Sequence, residues 1–209
     1  MGAPGLTTPL RSETFENLQL NAGIVLKDFD YSSILTATAL KTAIASAITA
    51  GTKLLGATRG GGSFVVTKEI REPEVDGRRY SFKGGKFVDS VDARLSTTLL
   101  EITPGNIVTT LGTGESAADT ATGSKKTIIK MHTAIEDEDY LPNIVWVGDL
   151  ADGRYVAIKL ENALNTSDFT LTYTDKGEGT LAAEFHAHQD NVEDYDTAPF
   201  EIVYFADDD

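Results

Sequence analysis

A chain of 209 residues with 41% hydrophobic content is long enough to bury one substantial core, and it suits a single domain, with or without arms. With no cysteine it can form no disulfide or thiolate, and no apolar run approaches the roughly 18 residues that a membrane helix needs. The net charge of −14 opposes any sequence-independent grip on phosphate, because residues 1–133 carry 15 Lys/Arg against 13 Asp/Glu while residues 134–209 carry 3 against 19. A weakly basic half beside a strongly acidic half can lower its repulsion by head-to-tail contact between copies.

Residues 1–17 read as an extended arm, since Gly2, Pro4, Gly5 and Pro9 oppose regular structure, and MGAPGLTTPLRSE lacks the apolar block of a secretory signal. Leu18–Leu26 predicts a first strand. Thr38–Ala50 sets Leu40, Ala43, Ile44, Ala47 and Ile48 at helical spacing, with Gly51 where the helix would stop. Thr58–Gly62 reads as a flexible bridge into a strand at Ser63–Arg71.

Lys86–Ile102 predicts a much longer strand, which at about 3.3 Å per residue would reach roughly 50 Å if unbroken. Phe87, Val91, Ala93, Leu95, Thr97 and Leu99 share one side of it, with Asp89 out of pattern, while Val88, Ser90, Asp92, Arg94, Ser96 and Thr98 share the other. A hairpin of that length in a small domain projects from its own core and needs a partner surface. Between its strands lies EPEVDGRRYSFKGG, rich in turn residues and charge.

Thr103-Pro104 offers an N-cap and first helical position for a short helix to Leu111, followed by a small, polar surface loop at Gly112–Ser124. Thr127–Ala134 and Asn143–Leu150 predict strands across the acidic turn EDEDYLP. Asp152-Gly153 marks a hairpin in which both central positions favour positive φ, leading into RYVAIKLE. Phe169–Thr174 and Thr180–His188 flank DKGEG, and Pro199–Phe205 closes the chain as a last strand. Seven to nine strands, one or two helices and no strand–helix alternation define a mainly β fold. The expected architecture is a β-sandwich or half-barrel with one packed α-helix, a long β-hairpin and extended terminal arms. The expected organisation is an arm at 1–17, one domain at 18–205 with 71–86 projecting, and an acidic tail at 206–209.

His186 and His188 stand two apart on a strand, so with Asp190 or His132 they could hold a divalent ion, as in a metal-dependent hydrolase, yet no zinc-type spacing accompanies them. Partly exposed sheet histidines are the favoured reading. Gly60-Gly61-Gly62 lacks the pattern of a phosphate loop, and no serine lies in a nucleophile-elbow sequence. Acidic clusters at Glu136–Asp139 and Glu193–Asp196 lack EF-hand spacing and favour a solvated face. Trp146 fits an aromatic anchor in a sandwich core better than a carbohydrate platform. The expectation is therefore a protein without enzyme activity, cofactor or dedicated metal site. The 71–86 loop favours subunit stacking over a merely solvated loop, with Arg71, Glu74, Asp76, Arg78, Arg79, Lys83 and Lys86 as assembly contacts.

In LNAGIVLKDFD (Leu20–Asp30), LLGATRGGGSFVVTKEIREPEVDGRR (Leu54–Arg79), KGGKFVDSVDARLSTTLLEITPGNI (Lys83–Ile107) and FHAHQDNVEDYDTAPFEIVYF (Phe185–Phe205), the chain resembles the major tail, or tail tube, proteins of bacteriophages with long non-contractile tails. The order of these segments carries the resemblance, which omits 31–53 and 112–124. It implies a virion structural protein, synthesised in the host cytoplasm, that forms stacked hexameric rings. Viral DNA would pass through their electronegative lumen without specific binding. The implied partners are copies of itself, the tape measure, tail terminator and distal tail proteins, and no membrane. Residues 71–86 would stack rings, helped by arms at 1–17 and 206–209. An alternative from the residues is a β-sandwich capsid decoration or host-surface binding protein, with Trp146 and the histidines on its ligand face.

Overall fold

Alternating apolar residues in the second half of the chain build a continuous run of antiparallel strands, and the rest of the fold hangs on it. The computed structural model describes residues 12–19, 21–191, 193 and 196–206. In chain order the elements are β1 (Ile24–Lys27), α1 (Ala37–Ala50), β2 (Thr58–Arg71), β3 (Phe87–Leu99), α2 (Pro104–Leu111), β4 (Gly114–Ala118) and β5 (Thr127–Met131). There follow β6 (Leu141–Asp149), β7 (Tyr155–Asn165), β8 (Thr170–Thr172), β9 (Thr180–His186) and β10 (Phe200–Phe205). The fold is mainly β. Neither helix among the described residues is long and apolar enough to cross a membrane.

The main path of the sheet runs β1-β6-β7-β9-β3-β2, all antiparallel, with β10 added to β7 and β8 to β9. Strand β7 is the pivot. Its first part, Tyr155–Leu160, pairs with β10, whereas Leu164 pairs with His186 and Asn165 with Phe185 of β9. Between these stretches Asn162 takes φ of 44°, so the strand turns from one half of the sheet into the other. The halves then face each other as a sandwich. Val25, Ile144, Leu160 and Ala163 from one side pack with Leu95, Leu99, Leu181 and Phe185 from the other. Each of these larger apolar side chains contributes about 1.5–3 kcal/mol on leaving water.

Helix α1 covers the outer face of the β1-β6-β7-β10 half, burying Ala37, Leu40 and Ala47 against Leu26, Val145, Val147, Ala157 and Phe205. The Thr36 hydroxyl caps its start by accepting from Ala39 N–H, and Gly51, at φ of 68°, ends it. Near this layer the Tyr31 hydroxyl donates to Glu201 Oε1 at 3.0 Å, and Lys159 Nζ lies 3.0 Å from Glu161 and 3.2 Å from Glu201. Burial alone would lower the Lys159 pKa, but the two carboxylates outweigh it and hold the amine above its usual range. Burial and Glu201 push the Tyr31 phenol up as well.

Helix α2 is the second helix the sequence admits, with Thr103 as N-cap and Pro104 in its first turn. Its Asn106 is buried and donates from Nδ2 to Leu55 O and Glu101 O, both at 2.8 Å, joining three segments of backbone.

Several expectations change. Thr58–Gly62 is part of β2, not a bridge: Thr58 pairs with Leu99 and Gly62 with Thr97, and Gly60 and Gly61, both at positive φ, fill the irregularity between. The expected loop at Gly112–Ser124 contains β4, which pairs with β5. The first strand begins only at Ile24, because Gly23 takes φ of 73°. At Asp152-Gly153 only Gly153 has positive φ, and Leu150 and Arg154 close a three-residue connection. The strands expected at Lys86–Ile102, Phe169–Thr174 and Thr180–His188 are shorter than their sequence patterns. Of the expected arms, residues 1–11 and 207–209 lie outside the described residues, while Ser12–Thr14 form a short 3-10 turn.

Candidate functional site

The β2–β3 hairpin is the feature that the rest of the chain leaves uncovered over its outer part. From Ala93 to Leu99 strand β3 alternates buried and half-buried residues, but from Phe87 to Val91 every residue is exposed. Its partner behaves alike, with Thr67–Arg71 exposed throughout. The ladder continues regardless, through Lys68↔Val91 and Glu69↔Ser90 to the last pair, Arg71↔Phe87. The outer part of the hairpin is therefore a two-stranded ribbon held by backbone hydrogen bonds and covered on neither face.

A bulge explains the residue that broke the sequence pattern. Pairing steps from Glu69↔Ser90 to Ile70↔Val88, which leaves Asp89 as the extra residue. The phase flips there. Val88 consequently joins the face of Val91, Ala93 and Leu95, and Phe87 moves to the face of Ser90, the reverse of the simple alternation. An apolar stripe thus starts in the core at Leu95 and Phe64 and passes Ala93 and Val66. It then runs out of the body over Val91, Ile70 and Val88, which are 50%, 57% and 56% exposed, with the exposed Lys68 set among them opposite Val91. On the opposite face Arg71 reaches back to Asp89, Nε to Oδ2 at 2.9 Å, and its guanidinium lies 5.9 Å from the centre of the Phe87 ring.

Beyond Arg71↔Phe87 the tip is organised by Glu72. Its Oε1 lies 2.9 Å from Arg78 Nη1, with both side chains only 20% exposed, and its Oε2 accepts from the Ser81 hydroxyl at 2.9 Å. Arg78 also donates to Pro73 O. Of the residues singled out in the sequence, Arg71 and Arg78 are thus engaged within their own hairpin. Glu74, Asp76, Arg79, Lys83 and Lys86 are exposed, and none of these five has an ion pair among the described residues. The charge pattern did not single out the exposed apolar members Ile70, Val75, Tyr80, Phe82 and Val88. Their signal was apolar residues at the ends of both strands, Ile70 and Val88, and within the charged loop between them, Val75, Tyr80 and Phe82.

The histidines separate. His186 Nδ1 lies 2.7 Å from Asp92 Oδ1 and its Nε2 3.4 Å from Glu184 Oε1, linking β9 to β3. The Ser96 hydroxyl, donating to Glu184 at 2.8 Å, is the main cause of a lowered Glu184 pKa, and His186 adds to it. His188 instead stacks edge-on against Tyr140, with ring centres 5.1 Å apart, and meets Asn162 O. His132 binds Ala134 O and Asp139 elsewhere. Among the described residues no group of three His, Asp or Glu is placed to hold a metal ion.

Trp146 is half-buried and packs against the sandwich core, as an aromatic anchor would, donating from Nε1 to Ala22 O at 2.9 Å. It lies over Gly148, where a Cβ would approach its ring to 2.3 Å, and borders a groove of about 310 Å³ with Gly60, Gly61 and Gly62. His188 lines a different groove, so Trp146 and the histidines form no common ligand face. Neither a family model nor a curated protein sequence matches this chain.

Proposed function

We propose that this chain is a self-assembling structural protein, and specifically a subunit of a phage tail tube that stacks as hexameric rings around a DNA conduit. The observation that carries the reading is the apolar stripe running off the body over Val91, Ile70 and Val88. Three large apolar side chains on a rigid ribbon gain stability only when another surface covers them. A second copy is the economical partner, because the same ribbon then repeats from subunit to subunit. Strand β2 is 14 residues long and among the described residues pairs only with β3, which leaves one edge for a neighbouring strand. A contact between unlike patches on identical copies closes into a ring when its rotation divides a circle, and axial repetition gives a tube. Net charge of −14 suits a bore that repels phosphate and keeps DNA mobile.

In this reading the protein is made in the host cytoplasm and resides in the virion tail. It works without enzyme activity or cofactor and meets the tape measure, terminator and distal tail proteins at the tube's ends. Sedimentation velocity across a concentration series tests it. Discrete ring-sized species growing into polymers are expected. A single monomer peak at every concentration would contradict it and favour a capsid decoration or host-surface binding protein.

A further inference from the structure

We propose that a groove beside the root of the hairpin receives the hairpin tip of a second copy. The inference rests on the self-assembly reading and specifies which two surfaces meet. The groove holds about 1010 Å³ and lies between β3 at Val88–Val91, the turn carrying Asp137 and Tyr140, and two short segments, His188–Asp190 and Asp196–Pro199. One wall is apolar and uncovered, formed by Val88 and Val91. The rim carries Asp137, Asp190 and Asp196, all exposed and without a cationic partner among the described residues. Asp89 also borders it but is occupied by Arg71.

The tip presents the complementary set. Tyr80 and Phe82 are 82% and 66% exposed, and Arg79, Lys83 and Lys86 lack a carboxylate partner among the described residues. Aromatic rings suit the apolar wall, and three cations suit three carboxylates. Within one molecule no ion pair joins Arg79, Lys83 or Lys86 to Asp137, Asp190 or Asp196 among the described residues, and the tip lies beyond the last ladder pair, Arg71↔Phe87. The match is thus satisfied between copies, and it joins unlike patches, as a ring or a polymer needs.

Since the natural chain has no cysteine, the double variant Lys83→Cys/Asp190→Cys places one thiol on each surface. Treated with a short bis-maleimide under assembling conditions, it is expected to give a ladder of covalent multimers. Either single variant stops at dimers, and Lys41→Cys/Asp190→Cys, with its first thiol on α1, gives no ladder. Asp190→Lys/Asp196→Lys is expected to slow assembly at least tenfold while leaving the circular dichroism spectrum unchanged. Wild-type assembly without a ladder from the Lys83/Asp190 pair would overturn the groove and leave self-assembly standing. Failure of the wild-type protein to assemble at all would overturn both.

Discussion

Val91 and Leu95 lie on the same face of β3, four residues apart, yet one is 50% exposed and the other 3%. Leu95→Ala removes side-chain carbons from the sandwich core between Leu99 and Phe185, and at about 0.8 kcal/mol per buried carbon plus a cavity contribution it should cost about 2.5–5 kcal/mol. Val91→Ala removes less, from a site half in water, and should cost about 0.8 kcal/mol on the same scale. The ranking reverses in assembly. Burying the remaining exposed area of Ile70, Val88 and Val91 under a neighbour is worth about 3 kcal/mol per contact, so Ile70→Ser/Val88→Ser/Val91→Ser should raise the concentration needed for assembly about a hundredfold. Urea unfolding of dispersed subunits gives the first pair of numbers, and light scattering against concentration gives the second. Equal losses of stability for Val91→Ala and Leu95→Ala would refute the placement of the core's edge. Wild-type assembly by the triple serine variant would refute the role of the stripe.

Asn106→Ala leaves the carbonyls of Leu55 and Glu101, at the root of the hairpin, without their donor and should cost about 2–3 kcal/mol in chemical denaturation. Arg78→Glu sets a second carboxylate against Glu72 and should loosen the tip, read as faster amide exchange over residues 72–86, whereas Arg79→Glu should leave exchange unchanged and slow assembly. His132 is held above its ordinary value, first by donating to Ala134 O and then by Asp139 and Glu136. Its contribution to holding the 132–139 turn is therefore complete below about pH 6.5 and is lost as pH rises through the raised value. An NMR titration of its ring protons should give a midpoint above that of a free histidine, and Asp139→Asn should lower it.

Much of the framework was legible because local chemistry and tertiary packing agree. The spacing of Leu40, Ala43 and Ala47 before Gly51 defines α1, and Thr103-Pro104 opens α2. Strand β4 was not legible. Its residues GESAA carry no large apolar side chain, so the strand is defined by its backbone pairing with β5, which composition does not encode. The same limit hid the start of β2, where Gly60 and Gly61 adopt conformations that read as a flexible link yet serve as an irregularity in a ladder. Asp89 shows the limit most sharply: the alternation flagged it, but only the register identifies it as a bulge that brings Val88 onto the apolar face. At the tip, sequence marked the cations. The partition between Arg78, turned onto Glu72, and the free Arg79, Lys83 and Lys86 depends on how a glutamate seventy-two residues into the chain folds over its own loop.

The most direct measurement is a cryo-electron microscopy reconstruction of the protein assembled at high concentration. Hollow tubes are expected in which the ribbon beyond Val91 lies against a neighbouring subunit, with Ile70 and Val88 removed from solvent. Particles that stay single, or tubes in which that ribbon stands free in solvent, would contradict it.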